Sequence, residues 1–160
     1  MAEEEILERV IGKLLRRYAR DLPMAPGARE AVERLAASYP LGLASSSPRE
    51  VIAFVLARSG LERFFAAWAS SDDVARGKPA PDVYLKACSM VDAEPSACVA
   101  VEDSPSGMQA ARAAGLKVIA IPNTFFPLDQ PSSDLADLVL TSIDLLDAEA
   151  ARSVLEGRQR

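Results

Sequence analysis

Short apolar runs that stop abruptly at polar residues constrain this chain most. Cys98-Val-Ala-Val101 runs into Glu102-Asp103-Ser104, and Leu41-Gly-Leu-Ala44 into Ser45-Ser46-Ser47. Phe65 to Ser70, Val118 to Ile121 and Leu138 to Leu140 are shorter or weaker runs of the same kind. Helical stretches lie between them, at about 27–38, from Ser47 to Gly60, at 81–91, at 104–114 and at the C-terminal end. Apolar runs too short for helices, alternating with such stretches, predict βα units. They imply a parallel sheet covered on both faces.

Local signals support those boundaries. Ser47 is read as a helix cap, Pro48 as the first helical residue and Glu50 as the partner in a capping box. Gly60 and Gly115 fit helix ends. Ahead of the alternating region, Ile6, Leu7, Val10, Ile11, Leu14, Leu15 and Tyr18 recur at three- and four-residue spacing, which predicts an amphipathic helix over 3–20. Asp21 to Gly27, with two prolines, reads as a linker.

Composition narrows the partners. The 160 residues suit one domain with a sizeable core. The net charge of -5, with no basic tract, argues against nucleic acid and anionic membrane surfaces. No apolar run reaches the roughly 18 residues of a membrane span. With the acidic start Met-Ala-Glu-Glu-Glu, this leads to the expectation of a cytoplasmic protein. Cys88 and Cys98 lie in apolar surroundings and are expected to be free thiols. The chain has no histidine, which excludes a His-based triad and most zinc sites.

Four polar clusters follow apolar runs, where an open α/β sheet builds its site. Ser45-Ser46-Ser47, at a helix start, reads either as an anion site or as an ordinary capped helix. Lys78, between Gly77 and Pro79, is either a cation held on a stiff turn or a solvated surface lysine. Glu102 and Asp103 supply hard oxygen ligands suited to Mg²⁺, the alternative being complementation of a helix dipole. Asp72 and Asp73 read as a loop cap, with Asp72 as an alternative metal-side group. Trp68, Phe64 and Phe65 are assigned to the core, and Asn123 to Pro127 to a loop at a pocket border or on the surface.

Taken together, Ser45, the segment Gly77-Lys78-Pro79-Ala-Pro81-Asp82 and the segment Val101-Glu102-Asp103-Ser104-Pro-Ser106-Gly107 resemble the haloacid dehalogenase superfamily. Within it they resemble the branch with a helical cap domain, which includes phosphoglycolate phosphatase-like and β-phosphoglucomutase-like enzymes. The resemblance covers roughly 22–147. It implies a three-layer Rossmann-like core around a parallel sheet. It also implies that Ser45, Ser46 and Lys78 bind phosphate, that Lys78 and Ser45 act in catalysis, and that Glu102 and Asp103 hold Mg²⁺. The implied activity is a phosphohydrolase acting on a small phosphorylated metabolite.

The family's first motif has no counterpart, since no Asp-x-Asp-x-Thr-like segment occurs in the chain. The resemblance puts that motif's nucleophile on a central strand between those leading to Ser45 and Glu102. The expected architecture is therefore a core lacking that strand (residues 23–160) preceded by a remnant of the helical cap and hinge (residues 1–22). The flanking strands are then expected either to close up and pair or to take a strand from a neighbour, including self-association through the gap. The chain alone is expected to be inactive. The alternatives are a non-catalytic phosphate- or Mg²⁺-binding remnant and a strand-complementation partner.

Overall fold

In a computed structural model the structure describes residues 3–123 and 133–157. Among the described residues six α-helices alternate with five short strands: α1 (Glu3–Arg20), α2 (Ala28–Ala36), β1 (Leu41–Ala44), α3 (Arg49–Ser59), β2 (Phe65–Ala69), α4 (Asp82–Met90), β3 (Val99–Glu102), α5 (Pro105–Ala113), β4 (Lys117–Ala120), β5 (Leu138–Val139) and α6 (Ala148–Leu155). All pairing is parallel. Of the Asn123–Pro127 loop only Asn123 falls within the described residues.

The parallel α/β class holds, but the strands form two sheets. One has the order β1-β2 and the other β3-β4-β5. β1 and β3, the strands ending at Ser45 and at Glu102, do not pair with each other. A cavity of about 420 Å³ separates them, lined by both strands and by Ala87, Cys88 and Val91 of the α4 region on one side.

Helices cover both faces. Val118 and Ala120 of β4 pack with Val83, Ala87, Met108 and Ala111 from α4 and α5. Ile119 points the other way and packs with Ala31 of α2, Leu140, Leu146 and Val154 of α6. A third cluster, Ile52, Leu56 and Leu61, carries Leu43, Phe64, Phe65 and Trp68, so the aromatic residues join a core as expected. The stripe of α1 is only partly used: Ile11 is buried, whereas Ile6, Leu7 and Val10 are exposed.

Helix α4 fixes the direction of the two sheets. A Cβ on Gly42, early in β1, would lie 3.5 Å from Val91 Cγ1, just past the end of α4. Tyr84, early in α4, reaches Glu102 at the end of β3. Both strands thus run opposite to α4 and parallel to each other, and their carboxyl ends share one edge.

One local expectation is corrected. Ser47 does not cap α3; Pro48 holds the cap position and no side-chain cap is formed there. The exposed N–H of Arg49 instead donates to Asp72 Oδ2 at 2.7 Å, from a turn 23 residues away. A carboxylate at a helix N-terminus satisfies an orphan donor and complements the dipole. Gly60, at φ 68°, ends α3 in the left-handed conformation that glycine adopts without cost.

Candidate active site

Ser45 follows β1 directly, and its N–H continues the ladder to Ala69 O at 3.0 Å. Its Oγ accepts the Ser47 N–H at 3.1 Å. A hydroxyl has one donor and two acceptor positions, so this contact leaves the Ser45 proton free to point outward. The loop is strapped from below: Ser70 Oγ donates to Ser47 O at 2.8 Å and Ser71 Oγ to Ser46 O at 2.9 Å. Ser70 is fully buried and closes a reciprocal capping box with Asp73. The Ser70 N–H and the Arg49 guanidinium hold the Asp73 carboxyl below the usual carboxylate range. The loop-cap reading of Asp72 and Asp73 describes what they do.

Across the slot, β3 ends at Glu102, which is 9% exposed. A buried carboxylate needs partners, and Glu102 has three. Lys78 Nζ and the Tyr84 hydroxyl both donate to Oε1, and Ser104 Oγ donates to Oε2 at 3.2 Å. Lys78 also lies 4.7 Å from the centre of the Tyr84 ring, within cation–π range. Burial, then the Glu102 charge, pushes the Tyr84 hydroxyl well above the usual tyrosine range, so it stays protonated and donates. Lys78 sits on the turn before α4, where the Lys78–Pro79 peptide bond is cis. It is the cleft cation of the two alternatives, not a solvated one: its side chain is 11% exposed.

Asp103 follows Glu102 and is exposed. Ser104 caps α5 by accepting the Gly107 N–H at 3.2 Å. Gly107 is required by packing. A Cβ there would lie 2.1 Å from the Glu102 carboxylate, which nests against the first turn of α5. The structure thus brings Lys78 and Glu102 together, with Asp103 next in the chain at the end of β3, while Ser45 lies at the end of β1 on the other bank of the slot. Sequence reasoning missed Tyr84 and the role of Gly107. The glycine stood inside a quoted motif, whereas Tyr84 shares an apolar helix face with Val83, Ala87 and Cys88 and gave no polar signal.

Among the described residues, no three His, Cys, Asp or Glu side chains gather as a metal-holding group. The Glu102 oxygens are engaged, and Asp103 presents a carboxylate to solvent. That donor set fits a hard cation of the Mg²⁺ type, which accepts one or two carboxylates and completes its shell with water and phosphate.

Parallel βα units with polar residues gathered at the carboxyl ends of the strands define a Rossmann-like α/β class, and comparison with known proteins gives the family. The model of the haloacid dehalogenase-like hydrolases matches residues 1–115, and the chain belongs to that family. Hexitol phosphatase B of Escherichia coli K12 is 37% identical over 149 residues, covering 92% of this chain and 67% of that protein. A HAD hydrolase of family IA, variant 3, from Entamoeba histolytica shares the fold with a TM-score of 0.79 at 24% identity, over 98% of this chain and 73% of its own. A HAD family hydrolase from Deinococcus radiodurans, solved with bound phosphate and sodium, has a TM-score of 0.69 at 31% identity. That match covers 82% of this chain and 60% of the other. The chain spans between 31% and 67% of the length of the curated relatives it is matched to here.

Proposed function

We propose that this chain supplies the phosphate- and cation-binding half of a phosphohydrolase that acts on a small phosphorylated metabolite. The observation that carries the reading is the Lys78–Glu102–Tyr84 cluster at the same sheet edge as the Ser45 hydroxyl. Relatives named as phosphatases of phosphorylated small molecules support it.

The roles follow from donor counting. Lys78 has three N–H donors. One goes to Glu102 and one is directed at the Tyr84 oxygen, 3.5 Å away, which leaves one for a phosphate oxygen. Glu102 and Tyr84 fix the ammonium so that it need not reorganise as charge develops on the phosphoryl group. Ser45, with its proton free, would donate to a second oxygen, and a backbone N–H near Ser46 would add a third contact. Asp103, with Glu102 behind it, would hold Mg²⁺. When bound, that ion supplies positive charge that offsets the phosphate and polarises its oxygens. The chain has no Asp-x-Asp segment to provide the family's covalent step, so we assign it binding without turnover on its own.

In this reading residues 1–22 are the end of a helical cap domain and its hinge, and 23–160 the core. The two free cysteines fit a reducing, cytoplasmic setting. Among the described residues no helix is long and apolar enough to cross a membrane. Self-association through the slot has a specific requirement: a second copy must give up an extended apolar segment.

The test is calorimetry of inorganic phosphate with Mg²⁺ present, beside a p-nitrophenyl phosphate assay. Saturable phosphate binding is expected, weakened about tenfold or more by Ser45→Ala, which leaves the Lys78–Glu102 pair intact, since a hydrogen bond to a charged group contributes about 1.5–3 kcal/mol. Absence of phosphate binding in the folded protein refutes the reading. Mg²⁺-dependent turnover by the pure chain refutes the assignment of binding alone.

A further inference from the structure

We infer that Cys88 and Cys98 form a peroxide-reactive dithiol that closes into a reversible disulfide, fastening the end of α4 to the start of β3. Cys98 precedes the amino end of β3, whereas Glu102 ends that strand at its carboxyl end. The argument does not depend on the phosphate reading.

The fold anchors both backbones. Cys88 is in the last turn of α4, and the N–H groups of Val91 and Ala93 donate to its carbonyl at 3.2 and 3.0 Å. Asp92, at φ 53°, turns the chain back at that point. The return ends in a short 3₁₀ turn over Pro95–Ala97, where Pro95 O accepts the Cys98 N–H at 3.0 Å. Cys98 O then accepts the Lys117 N–H at 3.1 Å, where β3 starts to pair with β4. A helix end and a ladder start thus hold the two residues.

The side chains converge. Cys98 packs against the core cluster that contains Cys88, together with Tyr84, Ala87 and Ala100. Both cysteines are free, and they border one cavity. Burial, then the charge of the neighbouring Cys98 sulfur, holds the Cys88 thiol well above the usual range. Cys88 is 5% exposed, whereas Cys98 is half-buried and its Sγ donates to Glu94 O at 3.3 Å near the surface. A metal is the poorer reading of the pair. Among the described residues no third His, Cys, Asp or Glu gathers with them, and structural zinc takes four such ligands.

The two environments set the order of reaction. Thiolates are the nucleophiles, so the accessible Cys98 attacks first and the buried Cys88 stays protonated until then. The Cys98 sulfur forms an S–O bond to hydrogen peroxide, the O–O bond breaks, and water leaves with the proton that the thiol gave up. Cys88 then attacks the Cys98 sulfenic acid. An S–S bond forms, the S–O bond breaks, and a second water carries away the hydroxyl and the Cys88 proton. Two thiols and one peroxide give one disulfide and two waters; the sulfurs are oxidised and the peroxide oxygens reduced.

The bond has a distinct place in the molecule. Tyr84, one turn before Cys88 on α4, donates to Glu102 at the far end of β3. That contact holds α4 and β3 at one end, and the cysteines hold them at the other. A disulfide also restricts the unfolded chain, so the oxidised protein is the more stable form.

The experiment treats the reduced 160-residue chain with hydrogen peroxide and follows it by mass spectrometry. A monomer lighter by two hydrogens is expected. Cleavage between Val91 and Asp92 separates the cysteines in sequence, and their fragments should stay joined until dithiothreitol is added. Cys88→Ala should accumulate a sulfenic acid at Cys98 that dimedone captures. In Cys98→Ser, capture at Cys88 should be at least about tenfold lower. The oxidised monomer should unfold at a higher urea concentration than the reduced one. Dithiothreitol should remove that difference, and Cys98→Ser, a mild replacement at a half-buried position, should never show it. Four results overturn the inference: fragments that separate without reductant, a link only between two chains, capture at Cys88 equal to that at Cys98, or an oxidised protein that unfolds at lower urea than the reduced one. Absence of phosphate binding, with the disulfide formed, would refute only the function proposed above.

Discussion

Strands β4 and β1 are each four residues long and apolar, but they have different fates. In β4 Val118, Ile119 and Ala120 are completely buried. In β1 Gly42 is exposed, and Leu41, Leu43 and Ala44 are only half-buried. β3 shows the same contrast within itself: Ala100 is buried, whereas Val101 is 41% exposed. Composition does not explain this. β4 has a strand on each side and helices above and below, whereas β1 and β3 have one neighbour each and face a slot. Burial of a strand is a property of its neighbours, and among the described residues each flank of the cavity has a strand on one side only.

The largest expected effect tests that contrast directly. Ile119→Ala should cost about 2–5 kcal/mol, because it leaves a cavity in a well-packed cluster. Val101→Ala removes a side chain that is already partly in water, and should cost under about 1 kcal/mol. Urea denaturation of both variants decides the matter. Equal losses would mean that Val101 is covered and that the slot is not open.

Gly107→Ala comes next. The added methyl meets the Glu102 carboxylate, which Lys78 and Tyr84 hold in place, so it cannot swing aside freely. The cost should be about 1–3 kcal/mol, as for other overpacked sites, with loss of phosphate binding. A variant as stable as the parent that binds phosphate equally well would show that the Glu102 position is unimportant. Tyr84→Phe is milder. It removes one donor to Glu102 and leaves Lys78 and Ser104, so the loss should be near 1 kcal/mol. A neutral result would show that the Tyr84 hydroxyl does not orient the carboxylate.

These particulars also explain what the sequence could reveal. Strand and helix positions were readable because they are set by local periodicity and by residues such as Gly60 and Ser104. The assembly of Lys78 and Glu102 was readable through a resemblance that depends on short, specific motifs. The cap of α3 was not, because its carboxylate arrives from Asp72 across a turn, while Ser47 offered a nearer but unused hydroxyl. Tyr84 was hidden because a tyrosine on an apolar helix face looks like core until the strand beside it is placed. The separation of β1 from β3 depends on no local signal. Closing up and taking a strand from a neighbour were both compatible with the residues, and in the structure β1 and β3 do not pair.

The smallest expected effect lies in the β1–β2 half, at the strap that holds the Ser45 loop. Asp73 accepts the Ser70 N–H at 2.8 Å and pairs with Arg49, itself half exposed. Its carboxyl is held below the usual range, so its contribution is present above about pH 4 and is lost as pH falls through the lowered value. Asp137 in the other half is lowered too. Burial pushes it up, but the Val118 N–H, Lys117 and Arg112 outweigh that. Asp73→Asn should therefore cost under about 1 kcal/mol at pH 7, since exposed pairs contribute little and salt screens them. The gap from the parent should shrink below about pH 3, while acid loss due to Asp137 continues in both proteins. Denaturation midpoints measured from pH 7 to pH 2 at low and high salt give the answer. A gap that persisted at pH 2 would mean that Asp73 acts by shape and neutral hydrogen bonding, and that charge has no part in fixing the Ser45 loop to β2.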